Sequence, residues 1–196
     1  TPTDISSCTS AELKRWDVGW GFVDAQGRRP FEGKGFRIPT LEEALTAFPD
    51  VDFNVDLKIK DVAAVEIALR SIRKLGAESR VRLASFDARI LDTVRRLGYE
   101  GQTGLAQREV VRLAFSPLAL LRAMPIGGNA AQIPTHAGPF RLDTRVFIDK
   151  CHALGLRVDY WVIDDPDEAA RLLALGADGI MSDDPARVAP VFRELR

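Results

Sequence analysis

Asn54-Val55-Asp56-Leu57-Lys58 is the stretch that decides the fold. Read as a strand, alternation sets Asn54, Asp56 and Lys58 on one face and Val55 and Leu57 on the other. A parallel strand covered on both sides is nearly all apolar. Here one face carries an acid and an ammonium two residues apart. Removing such charges from water costs several kcal/mol per ion unless they are paired or hold a ligand. The face is therefore expected to look into a polar pocket. The alternative is a surface strand with one solvated face and a plain Asp56–Lys58 ion pair.

The surrounding chain repeats one rhythm. Leu75-Gly76, Leu97-Gly98, Leu154-Gly155 and Leu175-Gly176 each follow a helix-like segment and precede a strand-like one. Glycine just past a helix end adopts the left-handed conformation cheaply. Val62, Val65, Leu69, Ile72 and Leu75 recur at helical spacing, as do Ile90, Leu91, Val94 and Leu97, then Val146, Phe147, Cys151 and Leu154, then Ala169, Leu172, Leu173 and Leu175. Asp61, Asp87, Asp143 and Asp165 stand near the helix starts as candidate caps. Strands are expected over 53–59, 81–85, 101–105, 130–134, 157–163 and 178–182.

Strands alternating with helices imply a parallel α/β sheet with right-handed crossovers. An open doubly wound sheet and a closed barrel both fit. The open sheet usually carries a glycine-rich phosphate loop after its first strand, and Gly127-Gly128 does not open a helix. A (β/α)8 barrel typically takes about 250 residues, so 196 residues imply an incomplete barrel lacking two βα units, expected at the N-terminal end. Residues 1–37 differ: Gly19, Gly21, Gly27, Gly33, Gly35, Pro2 and Pro30 read as a long loop with one short helix over 10–16. Trp16, Trp20, Phe22, Phe31 and Phe36 argue that this loop is packed. The chain is expected to be one domain, 1–196, with 1–37 as an inserted segment and 38–196 as barrel units.

Hydrophobic content of 46% and charged content of 28% are ordinary for a globular protein. A net charge of −1 argues against nucleic-acid binding by bulk charge. No apolar run is long enough for a transmembrane segment. Cys8 and Cys151 suit neither a disulfide framework nor a metal site, and as free thiols they lean towards a cytoplasmic location. The chain begins Thr1-Pro2-Thr3-Asp4, without an initiator Met or the features of a signal peptide.

Pro30-Phe31-Glu32-Gly33-Lys34-Gly35, then Ile38-Pro39-Thr40-Leu41-Glu42-Glu43, then Asn54 through Lys58 resemble, in order, the glycerophosphodiester phosphodiesterases. Ser85-Phe86 resembles that family's Ser-Phe after a central strand, and the run from Val158 to Asp165 its Trp-containing seventh strand. Leu175-Gly176-Ala177-Asp178-Gly179-Ile180-Met181-Ser182-Asp183 resembles its closing Gly-x-Asp-Gly-Ile motif. The resemblance implies a (β/α)8 barrel that hydrolyses glycerophosphodiesters to glycerol 3-phosphate and an alcohol, usually with one divalent cation, Mg2+ or Ca2+. It also implies that Asp56, where the family has Glu, is a metal ligand and that Lys58 faces the phosphate. The family's opening His-Arg-Gly, Glu-Asn-Thr, Glu-x-Asp and His-Asp do not occur in this chain. On this reading Thr1 begins downstream of them, and both family histidines and two carboxylate ligands are wanting.

Trp161 is expected in the pocket or as a core plug, with Asp159 and Ile163 on its face of the strand. Phe86 is expected near the same mouth, and Gln132 either on substrate or as a satisfied amide. His136 in a loop and His152 on a helix match no family position. Asp164, Asp165, Asp183 and Asp184 read as structural, with Asp-Pro as a cap. Two functions are open. One is a metal-assisted hydrolase acting on a small glycerophosphodiester, with this chain alone nearly inactive. The other is a non-catalytic remnant or ligand-binding barrel module. An open barrel edge would need a cover, the 1–37 segment or a second copy in a homo-oligomer.

Overall fold

The computed structural model describes residues 5–24, 26–58, 61–124 and 126–194. The chain divides into two compact units, residues 1–50 and 51–196. The boundary set from composition, at 37/38, falls thirteen residues earlier, before the second helix.

The first unit holds two short helices, α1 (Ser10–Leu13) and α2 (Leu41–Ala47). Each starts on a reciprocal cap. Thr9 and Glu12 exchange side-chain-to-backbone bonds at the start of α1, and Thr40 and Glu43 do so at α2. Lys14 on the first segment reaches Glu43 on the second at 2.8 Å. Between them a 3-10 turn, Val18–Gly21, opens the glycine-rich loop.

In the second unit every expected strand forms, each shorter than its apolar run. They are β1 (Phe53–Asp56), β2 (Val81–Ala84), β3 (Gln102–Thr103) and β4 (Ala130–Ile133), then, after a small antiparallel hairpin of β5 (His136–Ala137) and β6 (Phe140–Arg141), β7 (Arg157–Tyr160) and β8 (Gly179–Ile180). Ile59, the expected end of the first strand, lies outside the described residues. All pairings except the hairpin are parallel, in the orders β1-β2-β3 and β4-β7-β8. The two sheets join where Gly104 bridges Ala130, with Leu105 N–H on the Ala130 carbonyl at 2.9 Å and Asn129 N–H on the Thr103 carbonyl at 2.7 Å.

The resulting wall is strongly curled. In a flat sheet β1 and β4 would lie about 14 Å apart, three strand spacings. Instead the Gln132 amide on β4 donates to the Asn54 side chain on β1 at 2.9 Å. That bond requires the inner face to roll on itself, as a barrel wall does. The fold is thus α/β with six parallel strands among the described residues. No β1–β8 pairing occurs among them, so the expected barrel is present as an open wall.

Helices cover the outside: α3 (Val62–Lys74), α4 (Ala88–Arg96), α5 (Gln107–Phe115), α6 (Leu118–Ala123), α7 (Arg145–His152), α8 (Pro166–Ala174), α9 (Pro185–Val188) and α10 (Val191–Glu194). Asp61, Asp87, Asp165 and Asp184 cap α3, α4, α8 and α9, and Gly76, Gly98, Gly155 and Gly176 all take positive φ after helix ends. Asp143 does not act as a cap. Thr144 takes that place on α7, while Asp143 is buried between Arg171 at 2.5 Å and Arg141 at 2.9 Å. A hydroxyl one residue later suffices for the free amide, which leaves the carboxylate to the two guanidiniums.

The core lies between the outer strand face and these helices. Ala131, Ile133, Val158 and Tyr160 meet Leu113, Leu121, Ile148 and Leu172, all essentially without solvent contact. Fully burying such a side chain is worth about 1.5–3 kcal/mol. The Tyr160 hydroxyl donates to the Leu142 carbonyl at 2.8 Å, and burial pushes its pKa up. Helices α5 and α6 and the β5–β6 hairpin were not foreseen: their segment carries no Leu-Gly punctuation.

Candidate active site

Barrel interiors are usually filled by layers of Val, Ile and Leu. This wall turns Asn54, Arg82, Gln102, Gln132, Arg157 and Asp159 inward instead, and they line a cavity of about 400 Å³ towards the N-terminal ends of the strands. The charges at its centre are paired. Asp159 accepts from Arg82 and Arg157, each at 2.9 Å, and the Arg82 fork also holds Gln102. Burial lowers the Arg82 pKa, and the Asp159 charge works against that shift. A Cβ at position 179 would sit 2.4 Å from the Asp159 carboxylate, so glycine there makes room for the cluster.

A second cavity, about 300 Å³, opens at the C-terminal ends of the strands. Asp56, Lys58, Phe86, Gln132 and Trp161, the five site residues singled out by sequence, all line it, together with Asn54, Ser85, Leu105, Val162 and Met181. The local reasons are traceable. Leu57 N–H continues the ladder onto the Ala84 carbonyl at 2.7 Å, which keeps Asp56 and Lys58 on the inner face. The buried Ser85 hydroxyl donates to the Leu57 carbonyl at 2.8 Å and accepts from Asp87 N–H at 3.2 Å, tying the two strand ends together. A Cβ at position 104 would press on the Gln132 side-chain oxygen at 3.2 Å, so Gly104 leaves the amide its place.

The cavity has two characters. On one side stand Asn54, Asp56, Lys58 and Gln132; on the other Phe86 and Trp161 meet edge to face, centroids 5.9 Å apart at 89°. Lys58 is 85% exposed at its side chain and lies 3.9 Å from Asp56, its nearest acid. Such a pair contributes little to stability. The Gln132 amide is satisfied by Asn54, and Phe86 is 65% exposed rather than packed away.

One expectation fails here. Ile163 does not share a face with Asp159 and Trp161: it is buried in the outer core, and Val162 faces the cavity instead. The strand ends at Tyr160, so two-residue alternation no longer governs residues 161–163. Neither histidine lines this cavity. His136 sits on the hairpin against Thr135, and His152 on α7 bonds Asp178 at 2.8 Å. Sequence reasoning missed Arg82, Gln102 and Arg157. Their signal was the alternation Arg82-x-Ala84 and Arg157-x-Asp159, which places them inward but not against one another.

The family model described as the glycerophosphoryl diester phosphodiesterase family matches residues 1–187. The chain belongs to this family. It is 33% identical to a probable glycerophosphodiester phosphodiesterase 2 of Mycobacterium tuberculosis over 77% of its own length and 58% of that relative's. The chain thus spans little more than half of that curated protein. Among solved structures, the glycerophosphoryl diester phosphodiesterase domain of another Mycobacterium tuberculosis protein superposes with a TM-score of 0.76 at 19% identity, covering 98% of this chain and 77% of that one. An Oleispira antarctica phosphodiesterase, solved in complex with the product sn-glycerol-3-phosphate, superposes with a TM-score of 0.69 at 20% identity over 96% and 72% of the two chains. At these identities the superpositions establish the fold alone.

The divalent cation implied by the family resemblance can be tested against the donors present. Ca2+ takes six to eight oxygen ligands from carboxylates, carbonyls and water, and Mg2+ keeps several waters and is held through one or two carboxylates. Among the described residues Asp56 is the one acid lining this cavity. The neighbouring amides of Asn54 and Gln132 bond each other, and Lys58 competes for the Asp56 carboxylate. Among the described residues no group of three or more His, Cys, Asp and Glu side chains is placed to hold a metal. Among the described residues Asp56 would supply one carboxylate to such a cation, and these donors do not complete a site by themselves.

Proposed function

We propose that this site belongs to a phosphodiester hydrolase acting on glycerophosphodiesters, with Lys58 binding the phosphate. One observation carries the reading: Asp56, Lys58, Gln132, Phe86 and Trp161 converge on a single cavity at the C-terminal strand ends, the face where barrel enzymes build their sites. The exposed Lys58 ammonium, paired only loosely with Asp56 at 3.9 Å, is available to a phosphate oxygen. It would offset charge that develops on the phosphoryl group. In the reaction a water oxygen bonds phosphorus, the bond from phosphorus to the alcohol oxygen breaks, and the alcohol leaves with a proton. Glycerol 3-phosphate remains. Asn54 and Gln132 would position glycerol hydroxyls, and the Phe86–Trp161 edge would cover carbon.

Asp56 is the carboxylate on hand for a proton or for a share in a cation completed by other groups. No histidine stands in this cavity, and positioned acid–base groups are worth about 10²–10⁴ in rate. The 196 residues alone are therefore expected to turn over slowly. The same observation favours a second reading, a ligand-binding module without chemistry. The discriminating experiment incubates glycerophosphocholine with the protein, with Mg2+ or Ca2+ added, and measures glycerol 3-phosphate over time. Slow product formation that Lys58→Met abolishes supports the hydrolase. No product, together with unimpaired binding of glycerol 3-phosphate, leaves the binding module.

A further inference from the structure

The backbone that presents Lys58 is anchored at the residue before it. Leu57 is buried, and its N–H continues the parallel ladder onto the Ala84 carbonyl at 2.7 Å. A continuing parallel ladder would return a backbone N–H to the Leu57 carbonyl. But β2 ends at Ala84, and the Ser85 hydroxyl reaches that carbonyl instead, donating at 2.8 Å. The same hydroxyl oxygen accepts from Asp87 N–H at 3.2 Å, and Asp87 caps α4 by accepting from Arg89 N–H at 2.9 Å. One buried hydroxyl thus joins the peptide that leads into Lys58 to the start of a nine-residue helix.

Ser85 also lines the cavity at the C-terminal strand ends, so it could act on a ligand directly or through the backbone. A serine hydroxyl has one proton to donate and two lone pairs. The proton already lies on the Leu57 carbonyl, and a phosphate oxygen needs a donor. Direct contact would break that bond and leave a carbonyl unpaired beside a buried side chain, which is unfavourable. Acting through the backbone breaks nothing. The Lys58 ammonium stands at the end of a long, exposed stem, with a loose Asp56 contact at 3.9 Å to restrain it. A small rotation of the Leu57–Lys58 peptide swings the charge farther than it moves the backbone. A binding group displaced by about 1 Å loses much of its fit.

We infer that Ser85 is a positioning residue for Lys58: by holding the Leu57 carbonyl it aims the ammonium at the phosphate oxygen. The inference rests on Lys58 as the phosphate ligand proposed above, and it adds a residue that acts without touching the ligand. The test is a double-mutant cycle, read by calorimetric titration of glycerol 3-phosphate into wild type, Ser85→Ala, Lys58→Met and Ser85→Ala/Lys58→Met. Ser85→Ala should weaken binding about fivefold when Lys58 is present and by less than about twofold once Lys58 is gone. Thr93→Val is the control. It removes another buried hydroxyl, one that donates to the Arg89 carbonyl on α4 at 2.8 Å away from the cavity lining, and it should leave affinity unchanged. Circular dichroism checks the fold of each variant. If Ser85→Ala does not fold, the cycle is run with Ser85→Cys, which carries a weaker donor and should show the same pattern at smaller amplitude. Wild-type affinity in the Ser85 variant would overturn the inference. So would an equal loss with and without Lys58, the sign of direct contact, or a matching loss in Thr93→Val, the sign of general loosening. Failure of the underlying reading looks different: wild type and Lys58→Met then bind alike, or neither binds, and the inference falls with it.

Discussion

The two ends of the wall's interior carry similar charges in opposite states. At the N-terminal end Asp159, 4% exposed at its side chain, is held by two guanidiniums at 2.9 Å. At the C-terminal end Asp56 and Lys58 stand 3.9 Å apart, and Lys58 is 85% exposed. Gln132 lines both cavities and separates the two regimes. The contrast shows how one inner face does two jobs. Charges whose bonds are complete inside the wall substitute for an apolar core and hold it together. On the proposed reading, charges left loose at the other end keep their interaction capacity for a ligand.

The contrast breaks most directly at Asp159. Asp159→Ala leaves Arg82 and Arg157 side by side without their acid, and removing one partner of a buried pair costs about 3–5 kcal/mol. Urea unfolding should show a loss of that order. A loss below about 1 kcal/mol, the range of exposed pairs, would erase the difference between the two ends.

Asp143 is a second saturated carboxylate, and it sharpens the comparison through pH. Burial pushes its pKa up, but the hydrogen bonds and charges of Arg141 and Arg171 outweigh that and hold it below the usual carboxylate range. A depressed native pKa means that the contribution is complete above the unfolded value, about 3.9, and is lost as pH falls through the native one. Asp143→Asn should therefore cost about 1.5–3 kcal/mol at pH 7. The gap between variant and wild type should close in acid, as measured by urea midpoints across pH. A gap independent of pH would mean that the side chain acts by packing instead of charge.

The smallest effect belongs to the open end. Phe86→Ala removes an exposed edge contact worth about 0.5–1.5 kcal/mol. Thermal stability should barely move, while affinity for glycerol 3-phosphate falls a few-fold. A large drop in melting temperature would place Phe86 among the structural groups.

Much of this was legible in the sequence because it rests on local chemistry. Leu-Gly pairs terminate helices wherever they occur, and aspartates two residues before a free amide cap them. Alternation around Asp56 placed an acid and an amine inside the wall. What was not legible depends on register across strands. That Arg82 meets Asp159, 77 positions away, requires four strands to be in register and curled, which no local pattern encodes. The reassignment of Asp143 from cap to ion-pair acid depends on Arg171 arriving from another helix. The strand ends were overestimated because backbone bonds to the neighbours run on past the regular strand, Trp161 N–H to the Ile133 carbonyl at 3.1 Å and Ile163 N–H to the Met181 carbonyl at 3.0 Å, while the side-chain alternation does not: Ile163 is buried on the helix side.

The most direct test of the account is calorimetric titration of glycerol 3-phosphate into the wild-type chain and into Lys58→Met. If the loose charge at the C-terminal end is the phosphate group's partner, the wild type binds saturably, and the variant loses affinity by on the order of tenfold or more at unchanged stability. Equal affinity in the two proteins, or no binding by the wild type, would contradict it.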